Sequence, residues 1–308
     1  MKNFILLIIT FFIVTTLVYS QGCSDAGFCT LDANGPNSLL TDYSGISSVS
    51  AGMSYGLADH DITALSTFLK YKKQIYSFMS IEAKLTSISQ RGDRLSNSGL
   101  SDVFLNLSFK YNSSTLFSGG VKIPLSDANK TKDDLKDGTN EAIPSSNYSL
   151  PLDYQSSLGT FDLLLAASHQ LNNLQLNIAL QQPVTQNNNG FVYGEGGHNI
   201  QTTNGFERKG DALLRVSYAL KLSEKVNLTP SLLNIYHFGK DSYLDNNIRK
   251  NIDGSEGLTI NATAFLNYQL TNKSDILLNM GTPLVVREVR PDGLTRAFVA
   301  GLEYRIYF

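Results

Sequence analysis

The chain has 308 residues, with 25 Lys and Arg against 27 Asp and Glu, for a formal net charge of −2. That balance excludes a dedicated nucleic-acid binder, which would concentrate positive charge on one surface. A mean hydropathy of −0.10 excludes a bundle of membrane helices, while a charged content of 17% lies below the usual quarter of a soluble domain.

Lys2 is followed by an uncharged apolar run from Phe4 to Val18, and Val18-Tyr19-Ser20 then offers a cleavage point. Residues 1–20 therefore read as a secretory signal peptide cut after Ser20. Lipidation at Cys23 is the alternative, although Ser20-Gln21-Gly22 lacks the Leu or Val usual three residues before a lipidated Cys. No later segment carries the eighteen or so apolar residues of a spanning helix.

Residues 21–44 hold both cysteines of the chain, Cys23 and Cys29, on either side of an Asp25-Ala26-Gly27 turn. In an exported protein such a pair is expected to close a small disulfide loop. A metal site using both thiolates and Asp25 would lack its third or fourth strong ligand, since no His is near. The segment serves as a periplasmic tail or as a plug folded into a lumen, with Gly35-Pro36-Asn37 as the turn inward.

From 45 to 308 the chain alternates with period two, the signature of half-exposed strands. Val49, Ala51, Met53, Tyr55 and Leu57 alternate with small residues, and Leu65, Thr67, Leu69 and Tyr71 follow. Met79, Ile81, Ala83 and Leu85 oppose Glu82 and Lys84; Val103, Leu105, Leu107 and Phe109 oppose Asp102, Asn106 and Lys110. A weaker segment spans 116–124. Then come runs at 160–168, 174–181, 214–221, 226–238, 260–268 and 276–284. The last is Phe298 to Phe308, in which Phe298, Ala300, Leu302, Tyr304, Ile306 and Phe308 share a face opposite Glu303 and Arg305.

Tight turns at 72–74, 112–115, 170–173, 223–225 and 271–273 alternate with longer polar loops at roughly 89–99, 126–152, 186–207 and 240–254. Sorting short turns to one side and long loops to the other is the habit of outer-membrane barrels. The fold class is thus all-β: a transmembrane antiparallel up-and-down β-barrel of about twelve strands over 45–308. An even count puts both termini with the short turns, in the periplasm of a Gram-negative cell. Tyr304, Ile306 and the terminal Phe308 resemble the strand by which such barrels are handed to their assembly machinery.

On this register Glu82, Lys84, Asp102, Lys110, Lys122, Asp162, Arg215, Arg287, Glu303 and Arg305 face the lumen. They line a polar path or pair with one another to fill the barrel. Gly119-Gly120 marks a kink or an ordinary close-packed position. The Asn-x-Ser/Thr triplets at Asn106, Asn227 and Asn261 lie in strands and carry no weight as glycosylation signals.

Several runs resemble the outer-membrane transporter family associated with phenol-degradation pathways, relatives of the FadL-type channels. Gly99-Leu100-Ser101-Asp102-Val103 is similar to its Gly-Leu-Gly-Asp strand start, and Val121-Lys122-Ile123-Pro124 to its Lys-x-Pro strand end. Leu158-Gly159-Thr160-Phe161-Asp162, Lys209-Gly210-Asp211 and Pro283 to Gly293 fall where that family begins or turns later strands. The resemblance implies passive movement of small hydrophobic or aromatic compounds across the outer membrane. In a FadL-like arrangement residues 21–44 would plug the lumen. The Cys23–Cys29 segment departs from the family's pattern, as does the Lys- and Asp-rich loop at 126–152.

The rival reading is a non-conducting structural barrel that docks partners in an envelope complex. An enzyme is the least supported, with no cofactor and no metal expected. His60, His169, His198 and His237 are scattered, and only His237 is placed for hydrolase chemistry. Gly194-Glu195-Gly196-Gly197 lacks the Lys-Ser/Thr of a phosphate loop. The expected partners are outer-membrane lipid, the assembly machinery and a small hydrophobic solute, with no nucleic acid.

Overall fold

The computed structural model describes residues 47–58, 61–92, 95–134, 147–292 and 296–308. The expected signal peptide, the Cys23–Cys29 loop and the rest of 21–44 lie outside the described residues.

The strands are β1 (Ser48–Ala58), β2 (Thr63–Tyr76), β3 (Met79–Gly92), β4 (Leu95–Asn112), β5 (Thr115–Pro124), β6 (Asp162–Leu171), β7 (Leu174–Pro183) and β8 (Asp211–Tyr218). After Ala219 the two-residue β9 (Leu220–Lys221) carries β8 onward, and β10 (Val226–His237) follows. A small hairpin, β11 (Ser242–Asp245) and β12 (Ile248–Asn251), precedes β13 (Gly257–Thr271), β14 (Ser274–Val285) and β15 (Arg296–Tyr307). Each long strand pairs antiparallel with its neighbours, β10 with β13, and β15 returns to β1 with Ser48 opposite Tyr307. With β8 and β9 as one stave, the sheet closes as a 12-stranded barrel. Closure leaves no unpaired edge in the barrel sheet of the described residues, which a lipid-exposed sheet requires.

The alternation expected from sequence sorts the side chains onto two faces. Val49, Met53, Leu69, Leu107, Leu165, Ile178, Leu232, Met280 and Leu302 point outward and are exposed. Aromatic rings gather on the outside near the short turns: Tyr76 stacks on Phe78 at 5.6 Å, Phe78 meets Phe109 at 5.5 Å, and Phe308 lies 6.5 Å from Tyr71. An apolar belt ending in an aromatic girdle is the surface a bilayer calls for. Both chain ends of the barrel, Ser48 and Phe308, sit at this girdle with the tight turns.

Three stretches differ from the sequence expectation. The turn expected at 72–74 is strand, because β2 runs on to Tyr76 and the chain reverses at Ser77-Phe78. The loop expected at 89–99 is almost entirely strand, because β3 runs to Gly92 and β4 starts at Leu95. Gln90, Asn97 and Ser98 are polar, so this taller part of the hairpin shows no apolar alternation although it is fully paired. The loop at 240–254 contains the β11–β12 hairpin, whose four-residue strands are too short for a periodic signal. Gly120 resolves as a close-packed position. The register across β4 and β5 is unbroken there, and a Cβ would lie 2.5 Å from the Leu105 carbonyl oxygen.

At the opposite end from the girdle the long loops are themselves folded. One apolar cluster joins Ile62, Ala64 and Leu95 of the barrel rim to Tyr148, Leu150, Tyr154, Phe191 and Ile200. A second joins Ala128, Leu152 and Leu158 to Phe206 and Ile252. Asn189 ties two loops together: its amide nitrogen donates to the carbonyls of Ala128 and Leu150, and its oxygen accepts from Thr203.

Candidate functional site

The barrel interior and its mouth hold most of the buried polar chemistry. Residues 147–161, which lead into β6, descend along the inner wall of β3 and β4. Gln90 donates from its amide to the Gln155 carbonyl at 2.7 Å, Asn97 to the Tyr154 carbonyl at 2.5 Å, and Ser157 to Asp102 at 2.7 Å. Gly159 makes the descent possible with φ of +68°, and Ser156 would meet any Cβ at Gly99. This is an inward-folded loop narrowing the mouth.

Below it lies a network of buried charge. Lys122 meets Asp162 at 3.0 Å, and Asp162 also accepts from Thr160 and Gln181. Arg208 is the hub: its Nε donates to Asp292 at 3.2 Å, its Nη2 to Asp211, and its Nη1 lies 4.0 Å from Asp162. Arg287 holds Asp292 from the other side at 2.7 Å and donates to the Ser255 carbonyl. His237 faces a carboxylate at each ring nitrogen, Asp211 at 2.7 Å and Asp241 at 2.8 Å. An imidazole carrying both protons satisfies both contacts, and it balances three cations and four anions. These residues come from β5, β6, β8, β10 and three loops, so the network fastens the mouth to the wall.

Electrostatics follow the geometry. Burial opposes the charge of Arg208, but Asp211, Asp292 and Asp162 outweigh it and hold its pKa above the ordinary value. Burial likewise opposes the charge of Asp292, and Arg287 and Arg208 overcome it, holding this carboxyl well below the usual range. At Asp241 burial prevails over the pull of His237, and its pKa is raised.

Deeper in, one sector of the inner wall is apolar. Phe104, Leu164, Ala179, Leu213 and Leu233 form a cluster with Ala166 and Ile235 packed against it. Their parity in β4, β6, β7, β8 and β10 is that of Asp102, Asp162, Gln181, Asp211 and His237, so they face inward. Other inward aromatic rings lie beside cations: Lys84 Nζ is 4.6 Å from the Phe68 ring centre, and Arg215 Cζ is 5.8 Å from that of Phe265. Toward the girdle, Lys70 meets Glu303 at 2.8 Å, Arg305 meets Glu303 at 3.0 Å, and the Tyr307 hydroxyl donates to Asp275 at 2.8 Å.

Of the sequence-derived lumen residues, Glu82, Lys84, Asp102, Lys122, Asp162, Arg215 and Glu303 are buried on the inward face, with Arg305 partly buried. Lys110 shares that face near the short turns, half-buried. Arg287 lies past the end of β14, in the mouth network. The structure brings Lys122 and Asp162 together, and Glu303 and Arg305. Lys84 and Arg215 lie against rings. Tyr304, Ile306 and Phe308 point outward, and the Phe308 amide donates to the Ser47 carbonyl at 3.0 Å.

Sequence reading missed Lys70, Asp275 and Tyr307, although parity within their strands would have found them. Arg208, Asp241 and Asp292 are loop residues and give no periodic signal. Both nitrogens of His237 are taken by carboxylates, so its geometry is not that of a hydrolase base beside a serine. The Gly194–Gly197 turn is a short 3-10 segment, and the neighbouring His198 is buried against Tyr148 at 3.3 Å.

No protein-family model matches the chain, and no curated protein matches it. Among solved structures, the COG4313 outer membrane channel from Pseudomonas putida F1 is similar with a TM-score of 0.55 at 13% identity, covering 86% of this chain and 96% of that one. The KdgM porin gives 0.43 at 9% identity, over 85% and 99% of the two chains. The NanC porin gives 0.42 at 10% identity, over 85% and 98%. The first of these likenesses shows that the chain has the fold of an outer-membrane channel.

Proposed function

We propose that the protein is a passive outer-membrane channel for small hydrophobic or aromatic solutes, with both termini in the periplasm. The observation that carries this reading is the apolar sector Phe104, Leu164, Ala179, Leu213 and Leu233 on an otherwise polar inner wall. Apolar groups facing inward in a barrel gain nothing from lipid; these are buried against one another, and it is by parting that they would give an apolar solute a resting place. The inward rings of Phe68 and Phe265 extend that surface. The inward-folded loop and the charge network around Arg208 then act as the mouth of the path.

The test needs a membrane that itself resists apolar solutes, since phospholipid alone does not. Vesicles with a lipopolysaccharide outer leaflet provide it. The purified protein should accelerate uptake of N-phenylnaphthylamine, and replacing Leu213 and Leu233 with Asn should abolish the acceleration while the barrel still forms. Uptake no faster than in protein-free vesicles would refute the proposal.

A second reading, a non-conducting barrel serving an envelope complex, draws on the same mouth network, whose buried charges pair with each other. It predicts a stable partner retained through purification in mild detergent and no solute flux.

A further inference from the structure

We infer that the barrel holds a second path, a hydrated lane along the inner wall of β13, β14, β15, β1 and β2 that passes small uncharged polar solutes. It goes beyond the apolar path proposed above and does not depend on it. The two halves of the inner wall differ in what water can reach. From β6 through β10 the inward polar side chains are buried, Ser168, Asn177, Gln181, Arg215 and Ser231 among them. From β13 round to β2 the inward residues at mid-height are partly exposed: Phe265, Asn279, Gly301, Ser54 and Ser66. The registers set these five in one row, Phe265 opposite Asn279, Asn279 opposite Gly301, Gly301 opposite Ser54, and Ser54 opposite Ser66. Their parity is that of Asn267, Asp275, Glu303 and Lys70, which bond to one another in the interior, so their exposure is to the lumen.

The room comes from barrel size and local geometry. A barrel of about eight strands is just wide enough for its side chains to fill, so a wider one keeps space where they stay close to the wall. Here they do. Asn279 lies across Gly301, where a Cβ would stand 2.7 Å from its Oδ1, and the Phe68 ring lies across Gly52.

The chemistry of the row selects the solute. Asn279, Ser54 and Ser66 offer donors and acceptors, and no residue of the row is ionisable. In the row toward the girdle Glu303 stands between Leu277 and Gly52, and Lys70 and Arg305 hold it at 2.8 and 3.0 Å. Two further cations, Lys84 and Arg215, are buried beside the rings of Phe68 and Phe265. An ion in the lane would lose hydration without meeting a counter-charge. A hydroxylated solute would exchange water for the amide and the two serines.

Swelling of liposomes carrying the full-length protein tests the lane, with arabinose as the small uncharged probe and raffinose as the larger one. Arabinose should enter several-fold faster than into protein-free liposomes, and raffinose no faster. Ser54→Phe puts a ring into the middle of the row and should slow arabinose about tenfold. Ser66→Phe, directly opposite, serves if the first variant does not fold, which a heat-modifiable gel shift decides. N-phenylnaphthylamine uptake should keep its wild-type rate in the variant, because β1 and β2 lie across the barrel from β8 and its Leu213. Glu303→Gln takes the carboxylate from Lys70 and Arg305 and should raise the chloride-over-potassium permeability ratio in planar bilayers about threefold. Arabinose entry equal to that of protein-free liposomes, raffinose entering as fast as arabinose, entry unchanged by the added ring, or an unmoved ratio in Glu303→Gln would each overturn the lane and leave the apolar path standing. Loss of arabinose and N-phenylnaphthylamine entry together in the Phe variant would overturn it too, since one shared path would then serve both.

Discussion

Replacing Arg208 with Met should loosen the mouth more than any other single change in the charge network. Arg208 is 2% exposed and stands among Asp162, Asp211 and Asp292. Met keeps much of the side-chain volume and removes the charge. The three carboxylates are not stranded completely, since Lys122, His237 and Arg287 remain on Asp162, Asp211 and Asp292 respectively. Removing one partner of a buried pair costs about 3–5 kcal/mol, and those remaining cations place the loss toward the lower figure. Urea unfolding in phospholipid vesicles, followed by tyrosine fluorescence, measures it. Amide exchange should rise at 239–256 and 286–292, the loops that Asp241, Arg287 and Asp292 anchor. A control is Arg249→Met, where the lost bonds are to the Gly205 carbonyl and the half-exposed Glu207. It should cost under about 1 kcal/mol. If Arg208→Met also costs under about 1 kcal/mol and leaves exchange in both loops unchanged, the account of the mouth as a charge-fastened structure is wrong.

Asp292→Asn should destabilise the protein more than Asp241→Asn, because Arg287 and Arg208 favour the ionised form of the first while burial disfavours that of the second. The sign of the pH dependence follows from the lowered folded pKa of Asp292. Its contribution is complete above the ordinary carboxylate value near 4 and is lost as pH falls toward the depressed folded value. The gap between wild type and Asp292→Asn should therefore be constant from about pH 6 to 8 and shrink below about pH 4; a gap that widens in acid would contradict the assignment. Gly120→Ala should cost about 1–3 kcal/mol, since its Cβ would press on the Leu105 carbonyl, whereas Gly119→Ala meets only ordinary contacts and should be near neutral. Equal urea midpoints for the two would sink that argument. Deleting Phe308 removes its ring from Tyr71 and its amide from Ser47. The yield of heat-modifiable barrel in the outer membrane should drop several-fold, and an undiminished yield would remove Phe308 from any role in assembly.

The barrel was legible because each stave writes its two environments into alternate residues. Val49, Met53 and Leu57 face out while Ser48, Ser50 and Gly56 face in, and the same rule located all the long strands. It failed where both faces are wet. The upper part of the β3–β4 hairpin, 90–92 with 95–98, has Leu95 as its one apolar residue and so read as a loop. Inward charges such as Lys122 and Asp162 could be placed on a face from parity alone, and their meeting needed only adjacent strands. The mouth was not legible. Arg208, Asp241 and Asp292 are single residues in irregular chain, brought together by loop packing around Ala128, Leu158, Phe206 and Ile252. Leu164, Leu213 and Leu233 went unnoticed for a further reason. They interrupt the polar face of their strands, so leucines there are adjacent to outward ones and blur the period.

The central claim is that the interior conducts small apolar solutes past an outer leaflet that excludes them. Uptake of N-phenylnaphthylamine into vesicles with a lipopolysaccharide outer leaflet tests it most directly. With the wild-type protein the rate should rise well above that of protein-free vesicles. Arg208→Met, with its mouth loosened, should raise it further, and the Leu213 and Leu233 to Asn double variant should return it to background. A wild-type rate equal to background, unchanged when the mouth is loosened, would contradict the claim and favour a barrel that holds partners and passes nothing.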